Sequence, residues 1–84
     1  MNLLANSFLI GFRFFFYSEE GSEPIHVHVD YGGGRAKFWM KPEIALASSI
    51  GFSAPIIKKA KNIIKENRKL IEEKWDEFDQ RRKS

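Results

Sequence analysis

Two histidines one residue apart, His26 and His28 in the stretch Glu-Pro-Ile-His-Val-His-Val-Asp (23–30), are the chain's only imidazoles. Imidazole exchanges its proton near neutral pH, so the pair could serve as general acid and base. Around it in sequence stand Arg13, Arg35 and Lys37, which could hold phosphate, and Tyr17 and Trp39, whose rings could stack a base. Together these are the parts of a site that cleaves or grips RNA.

Two other chemistries use the same residues less well. A His-x-His pair can present two imidazoles to one metal ion, with Asp30 as a third ligand. Residues i and i+4 on a strand lie about 13 Å apart, and the chain has no further histidine, so no metal site is expected. Gly32-Gly33-Gly34 joins two strands rather than opening a helix, which makes it a hairpin turn and not a phosphate loop. Nothing in the sequence calls for a cofactor. The bland alternative is a solvated sheet face, because a half-buried strand requires polar residues on its wet side.

The elements that would position these side chains follow from period-two alternation. The aromatic run over about 7–17 reads as strand one, with Phe8, Ile10, Phe12, Phe14 and Phe16 on one parity and Arg13, Phe15 and Tyr17 on the other. Residues 25–31 alternate Ile25, Val27, Val29 and Tyr31 with His26, His28 and Asp30, and residues 35–41 form the next strand. A two-residue Gly32-Gly33 turn sets Asp30 opposite Arg35, His28 opposite Lys37 and His26 opposite Trp39. After Pro42, residues 43–50 fit either a short fourth strand or a helical turn; the parity of Ile44, Leu46, Ile50 and Phe52 favours a strand. The predicted cluster of His26, His28 and Lys37 therefore lies on the sheet face turned away from the helix that follows.

That helix is expected over about 54–80, capped by Ser53 with Pro55 in its first turn. Ile56, Ile57, Ala60, Ile63, Ile64, Leu70, Ile71, Trp75 and Phe78 recur at helical spacing, with Asn67 standing where an apolar residue belongs. The fold class is α+β: an antiparallel sheet of three or four strands covered on one face by this helix, with a basic tail at 81–84. Charge along the helix is segregated. Six cations stand against one carboxylate from Lys58 to Lys69, and five carboxylates against Lys74 from Glu72 to Asp79. The basic half could lie on nucleic acid, or be an ordinary solvated face.

Size and composition narrow the function classes. An 84-residue chain is one domain with a small core, so a partner or self-association into a homo-oligomer would add stability. The absence of cysteine excludes disulfides and thiolate metal sites and fits the reducing cytoplasm. The apolar run from Phe8 to Tyr17 has no basic leader and contains Arg13, so it is expected to be neither a signal peptide nor a membrane span. A net charge of +3 permits a polyanionic partner without demanding one.

The stretches Gly-Phe-Arg-Phe-Phe-Phe-Tyr-Ser (11–18), Glu-Pro-Ile-His-Val-His-Val (23–29), Ala-Lys-Phe-Trp (36–39), Gly-Phe-Ser (51–53) and Glu-Lys-Trp-Asp-Glu-Phe (73–78) resemble the small prokaryotic domain-of-unknown-function family 4160. Ile25 stands where many relatives carry a second proline. The resemblance implies a compact α+β domain, encoded beside a small antitoxin-like partner in a suspected toxin–antitoxin pair. Its family-typical positions fall on Arg13, Tyr17, Pro24, His26, His28, Lys37 and Trp39. The leading expectation is a toxin-like component acting on RNA or translation, with His26 and His28 catalytic in a ribonuclease-like activity and Arg13, Arg35 and Lys37 on phosphate. The rival is a non-catalytic protein- or nucleic-acid-binding module.

Overall fold

A computed structural model of the chain describes residues 8–9, 11–16 and 24–83, and of residues 8, 9, 78 and 80–83 the backbone alone. In chain order the elements are β1 (Phe8–Leu9), β2 (Phe12–Phe15), β3 (His26–Tyr31), β4 (Gly34–Trp39), β5 (Ala45–Ile50), α1 (Ala54–Glu66) and α2 (Arg68–Lys83). All strand pairs are antiparallel and neighbours in sequence are neighbours in space. This is the α+β arrangement that the alternating parities predict. Among the described residues no helix is long and apolar enough to cross a membrane.

Strand one is not continuous. Gly11 sits in a turn at φ 85°, and Leu9 pairs with Phe12 and Phe8 with Arg13, so the run doubles back on itself. A left-handed glycine is what such a reversal needs, since a Cβ there costs about 1 kcal/mol or more. Between β3 and β4, Gly32 (φ 55°) and Gly33 (φ 84°) form the two-residue turn, with the predicted register: Asp30 opposite Arg35, His28 opposite Lys37, His26 opposite Trp39.

Residues 45–50 are a strand, β5, but a bulge opposite Lys37 and Phe38 changes its parity. Leu46 pairs with Phe38 on the core side, whereas Ser48 pairs with Lys37 and Ile50 with Arg35 on the other side. Ile50 is therefore 81% exposed instead of sharing the buried parity of Ile44.

The expected single helix is two. Ser53 caps α1 by accepting from the Ile56 N–H at 3.4 Å, with Pro55 in the first turn. Asn67 interrupts the helical run at φ −115°, ψ 21°, and its Nδ2 donates to the Ile63 carbonyl at 2.8 Å. The polar residue on the apolar stripe is thus the helix break. Beyond it α2 continues to Lys83 and takes in most of the residues expected as a tail. The core lies between the sheet and the helices: Phe12, Phe14, Val27, Val29, Ala36 and Phe38 pack with Ala60, Ile63, Ile64 and Ile71. Each such phenylalanine stabilises the fold by about 1.5–3 kcal/mol on full burial.

Candidate functional site

The second sheet face is built as three cross-strand rows. Arg13, Asp30 and Arg35 make the first, Phe15, His28 and Lys37 the second, and His26 with Trp39 the third. Period-two geometry alone assembles these side chains from β2, β3 and β4.

In the first row Asp30 holds both guanidinium groups. Arg35 donates Nε to Oδ1 at 2.6 Å and Nη2 to Oδ2 at 2.9 Å, and Arg13 donates Nη2 to Oδ2 at 3.2 Å. The hydrogen bond from Arg35 is the largest influence holding the Asp30 carboxyl below the ordinary aspartate range, with the charges of Arg35 and Arg13 adding to it against a cost of burial. Both guanidinium carbons also stand over the Phe15 ring, at 4.6 and 4.9 Å from its centroid. These arginines are cations already committed to a carboxylate and a ring.

The second and third rows form one aromatic cluster. Phe15 stacks on His28 at 5.5 Å, His28 meets His26 edge-on at 5.4 Å, and His26 meets Trp39 edge-on at 5.7 Å. Lys37 Nζ lies 4.6 Å over the Trp39 ring. From α2, Trp75 touches His26 at 5.3 Å and Phe16 at 5.3 Å, so one indole joins rings from both parities of the sheet.

The register keeps His26, His28 and Lys37 on the parity opposite the core residues Val27 and Val29, as expected, but the histidines are not on a wet face as the bland alternative has it. His26 is 0% exposed and His28 8% exposed, and Phe15 is buried between them and the guanidinium groups. Sequence alternation assigns a residue to a face but not what packs against that face; among the described residues Trp75, Trp39 and Phe15 have their rings against the histidines. His26 has a structural task as well. Its Nδ1 lies 2.7 Å from the Pro24 carbonyl, which can only accept, so Nδ1 carries the proton and Nε2 is the nitrogen without one in the neutral ring.

Among the described residues an opening reaches His28. A cavity of about 200 Å³ between β4 and β5 is lined by His28, Arg35, Lys37, Ser48, Ser49 and Ile50. Ser48 is a site residue that the sequence alone does not single out, because only the bulge in β5 turns it toward Lys37, whereas Ser49 pairs with the core residue Ala36 on the other parity. A larger hollow of about 430 Å³ lies beside the Gly32–Gly34 turn, but its cations are the Asp30-bound Arg13 and Arg35. Tyr17 lies outside the described residues. Among the described residues no three His, Cys, Asp or Glu side chains converge as a metal site would require.

Residues 11–76 match the model of a family described as Domain of unknown function (DUF4160), and the chain belongs to that family. No curated protein and no solved structure matches it.

Proposed function

We propose that this DUF4160 domain is the toxin-like component of a two-gene module and that it grips RNA at the cavity between β4 and β5. The observation that carries the reading is the exposed edge of His28 in a cavity of about 200 Å³ whose other walls include Arg35, Lys37, Ser48 and Ser49. With Arg35 already held by Asp30, the Lys37 ammonium, the Ser48 hydroxyl and the His28 imidazole are the groups on this small wall that suit the oxygens of a phosphate. The two-gene setting comes from the family resemblance.

Gripping is favoured over cleavage by a pair of histidines. A general acid or base must come within about 2.6–3.2 Å of the proton it moves. His26, with no exposed surface and Nδ1 engaged by Pro24, does not meet a substrate in this arrangement. His28 is the histidine with access, so any proton transfer falls to it alone. The test is to express the chain by itself, score growth, and measure RNA binding and RNA decay with the purified protein. Lys37→Gln is expected to weaken RNA binding several-fold while the RNA stays intact. RNA decay lost in His28→Gln would replace gripping by cleavage, and a wild-type chain that neither binds RNA nor slows growth would end the reading.

A second reading rests on β5. This edge strand carries no charge and no proline, and Leu46 and Ile50 are 40% and 81% exposed. Natural sheets usually blunt such an edge; here the bulge opposite Lys37 and Phe38 does so in part, and the regular pairing of Ser48–Ile50 beyond it leaves a short stretch that suits an added strand from a protein partner. Amide-exchange protection at residues 45–50 on adding the neighbour-encoded protein would support it. Unchanged exchange there in a complex that does form would rule it out.

A further inference from the structure

A second basic hollow lies away from the histidine cluster, on the helix side of the sheet. It has a volume of about 310 Å³ and is lined by Lys61, Lys65 and Arg68 along the helices and by Glu43 and Ile44 from the loop before β5. Lys61 and Lys65 are one helical turn apart, about 6 Å along the α1 axis, and so share a face. Lys58 stands one turn before them, exposed. Arg68, just past the break at Asn67, is fixed by two bonds: Nε to Glu72 Oε2 at 3.1 Å and Nη2 to the Met40 carbonyl at 3.5 Å. Neither lysine has a carboxylate partner among the described residues, although Glu43 lines the same hollow.

From this arrangement we infer that the groove between α1 and the Glu43–Ile44 loop is a second RNA contact, in which Lys61 and Lys65 bind backbone phosphates without reading sequence. The inference rests on RNA being the target, as proposed above, and adds where else the strand is held. Lysines on flexible stems act as point charges that follow a phosphate chain. Among the described residues the groove has no aromatic lining on which a base could stack, so they supply no source of sequence preference there. Glu43, the carboxylate among the described lining residues, works against a polyanion, and that gives the proposal a signature of opposite sign.

The experiment follows the anisotropy of a labelled single-stranded RNA of mixed sequence against salt concentration, using the full chain. Removing two phosphate contacts with Lys61→Gln/Lys65→Gln should weaken binding about tenfold at low salt. It should also flatten the slope of log K against log salt by about 1.4. Glu43→Gln should tighten binding about twofold, an effect that a merely damaged fold would not produce; circular dichroism checks that each variant is folded. Wild-type affinity and slope in the double lysine variant would overturn the groove while leaving the RNA reading standing. A wild-type chain that ignores RNA would overturn both, and one that prefers poly-glutamate over RNA would assign the groove to an acidic protein instead.

Discussion

His26 and Trp75 stand with ring centroids 5.3 Å apart, joining the first residue of β3 to the middle of α2. The same imidazole donates to the Pro24 carbonyl at 2.7 Å, which fixes the chain where it enters the sheet. His26 thus links the sheet, the approach to β3 and the second helix, and it does so without exposed surface.

Replacing it should therefore act on stability first. His26→Ala removes a buried ring and a buried hydrogen bond, and a loss of about 2–4 kcal/mol is expected. Urea unfolding measures the loss, and Trp75 emission should shift as its neighbour disappears. A variant as stable as wild type would show that the buried imidazole is not a structural link. Activity data on His26 variants need this control, because unfolding imitates loss of a catalytic group.

The Asp30 carboxylate gives the fold an acid limb. Its folded value lies below the ordinary 3.8, chiefly through the bond from Arg35. A lowered carboxyl contributes stability that is fully present above the unfolded value and is lost as pH falls through the folded one. Wild-type stability should fall as the pH drops below the ordinary aspartate value of 3.8, and Asp30→Asn should flatten that limb while costing about 1 kcal/mol at pH 7, the partners being half-exposed. Urea midpoints at pH 7, 4 and 2.5 decide it. An equally steep limb in Asp30→Asn would assign acid sensitivity to other carboxylates.

Legibility in the sequence differed between elements for physical reasons. The β3–β4 register was readable because a two-glycine turn fixes loop length and a one-residue slip would bury His28 beside Phe38. The reversal at Gly11 was not, since Phe8 to Phe16 carries no polar turn residue and one glycine in an apolar run looks like any strand glycine. The burial of His26 and His28 was hidden for another reason. Alternation tells which side of a sheet a residue occupies, whereas the ring contacts that His26 and His28 make among the described residues come from β2, β4 and α2, which sequence spacing does not orient. Asn67 did carry a signal, as a polar residue on an apolar stripe, and it marks the break between the helices.

That break should be robust to side-chain loss and sensitive to backbone loss. Asn67→Ala gives up the 2.8 Å bond to the Ile63 carbonyl, worth about 1 kcal/mol, and gains about 0.6 kcal/mol of helix propensity. The net change is expected within about 0.5 kcal/mol. Asn67→Pro removes an N–H that bonds both the Ile63 and Ile64 carbonyls and should cost about 3 kcal/mol. Equal stabilities for the two variants, in urea titration, would mean that the backbone bond at Asn67 holds nothing.

The β3–β4 turn separates two reasons for a glycine at adjacent positions. Gly33 has φ 84° but open space around it, with nothing within 4 Å of a built Cβ. An alanine there meets only its own backbone strain, about 1 kcal/mol. Gly34 has no positive φ to protect; instead a Cβ would come 2.6 Å from the Gly51 carbonyl oxygen and 2.7 Å from Phe52 Cδ1. The carbonyl is backbone and cannot swing aside, so β4 and the end of β5 must part. Overpacking of this kind costs about 1–3 kcal/mol. Gly34→Ala should therefore destabilise more than Gly33→Ala and should also speed amide exchange at Ser48 to Ile50, beside the His28 cavity, whereas Gly33→Ala should leave that exchange unchanged. The reverse order of stabilities would show that turn strain, and not the close approach of Gly34 to Gly51, governs this corner of the sheet.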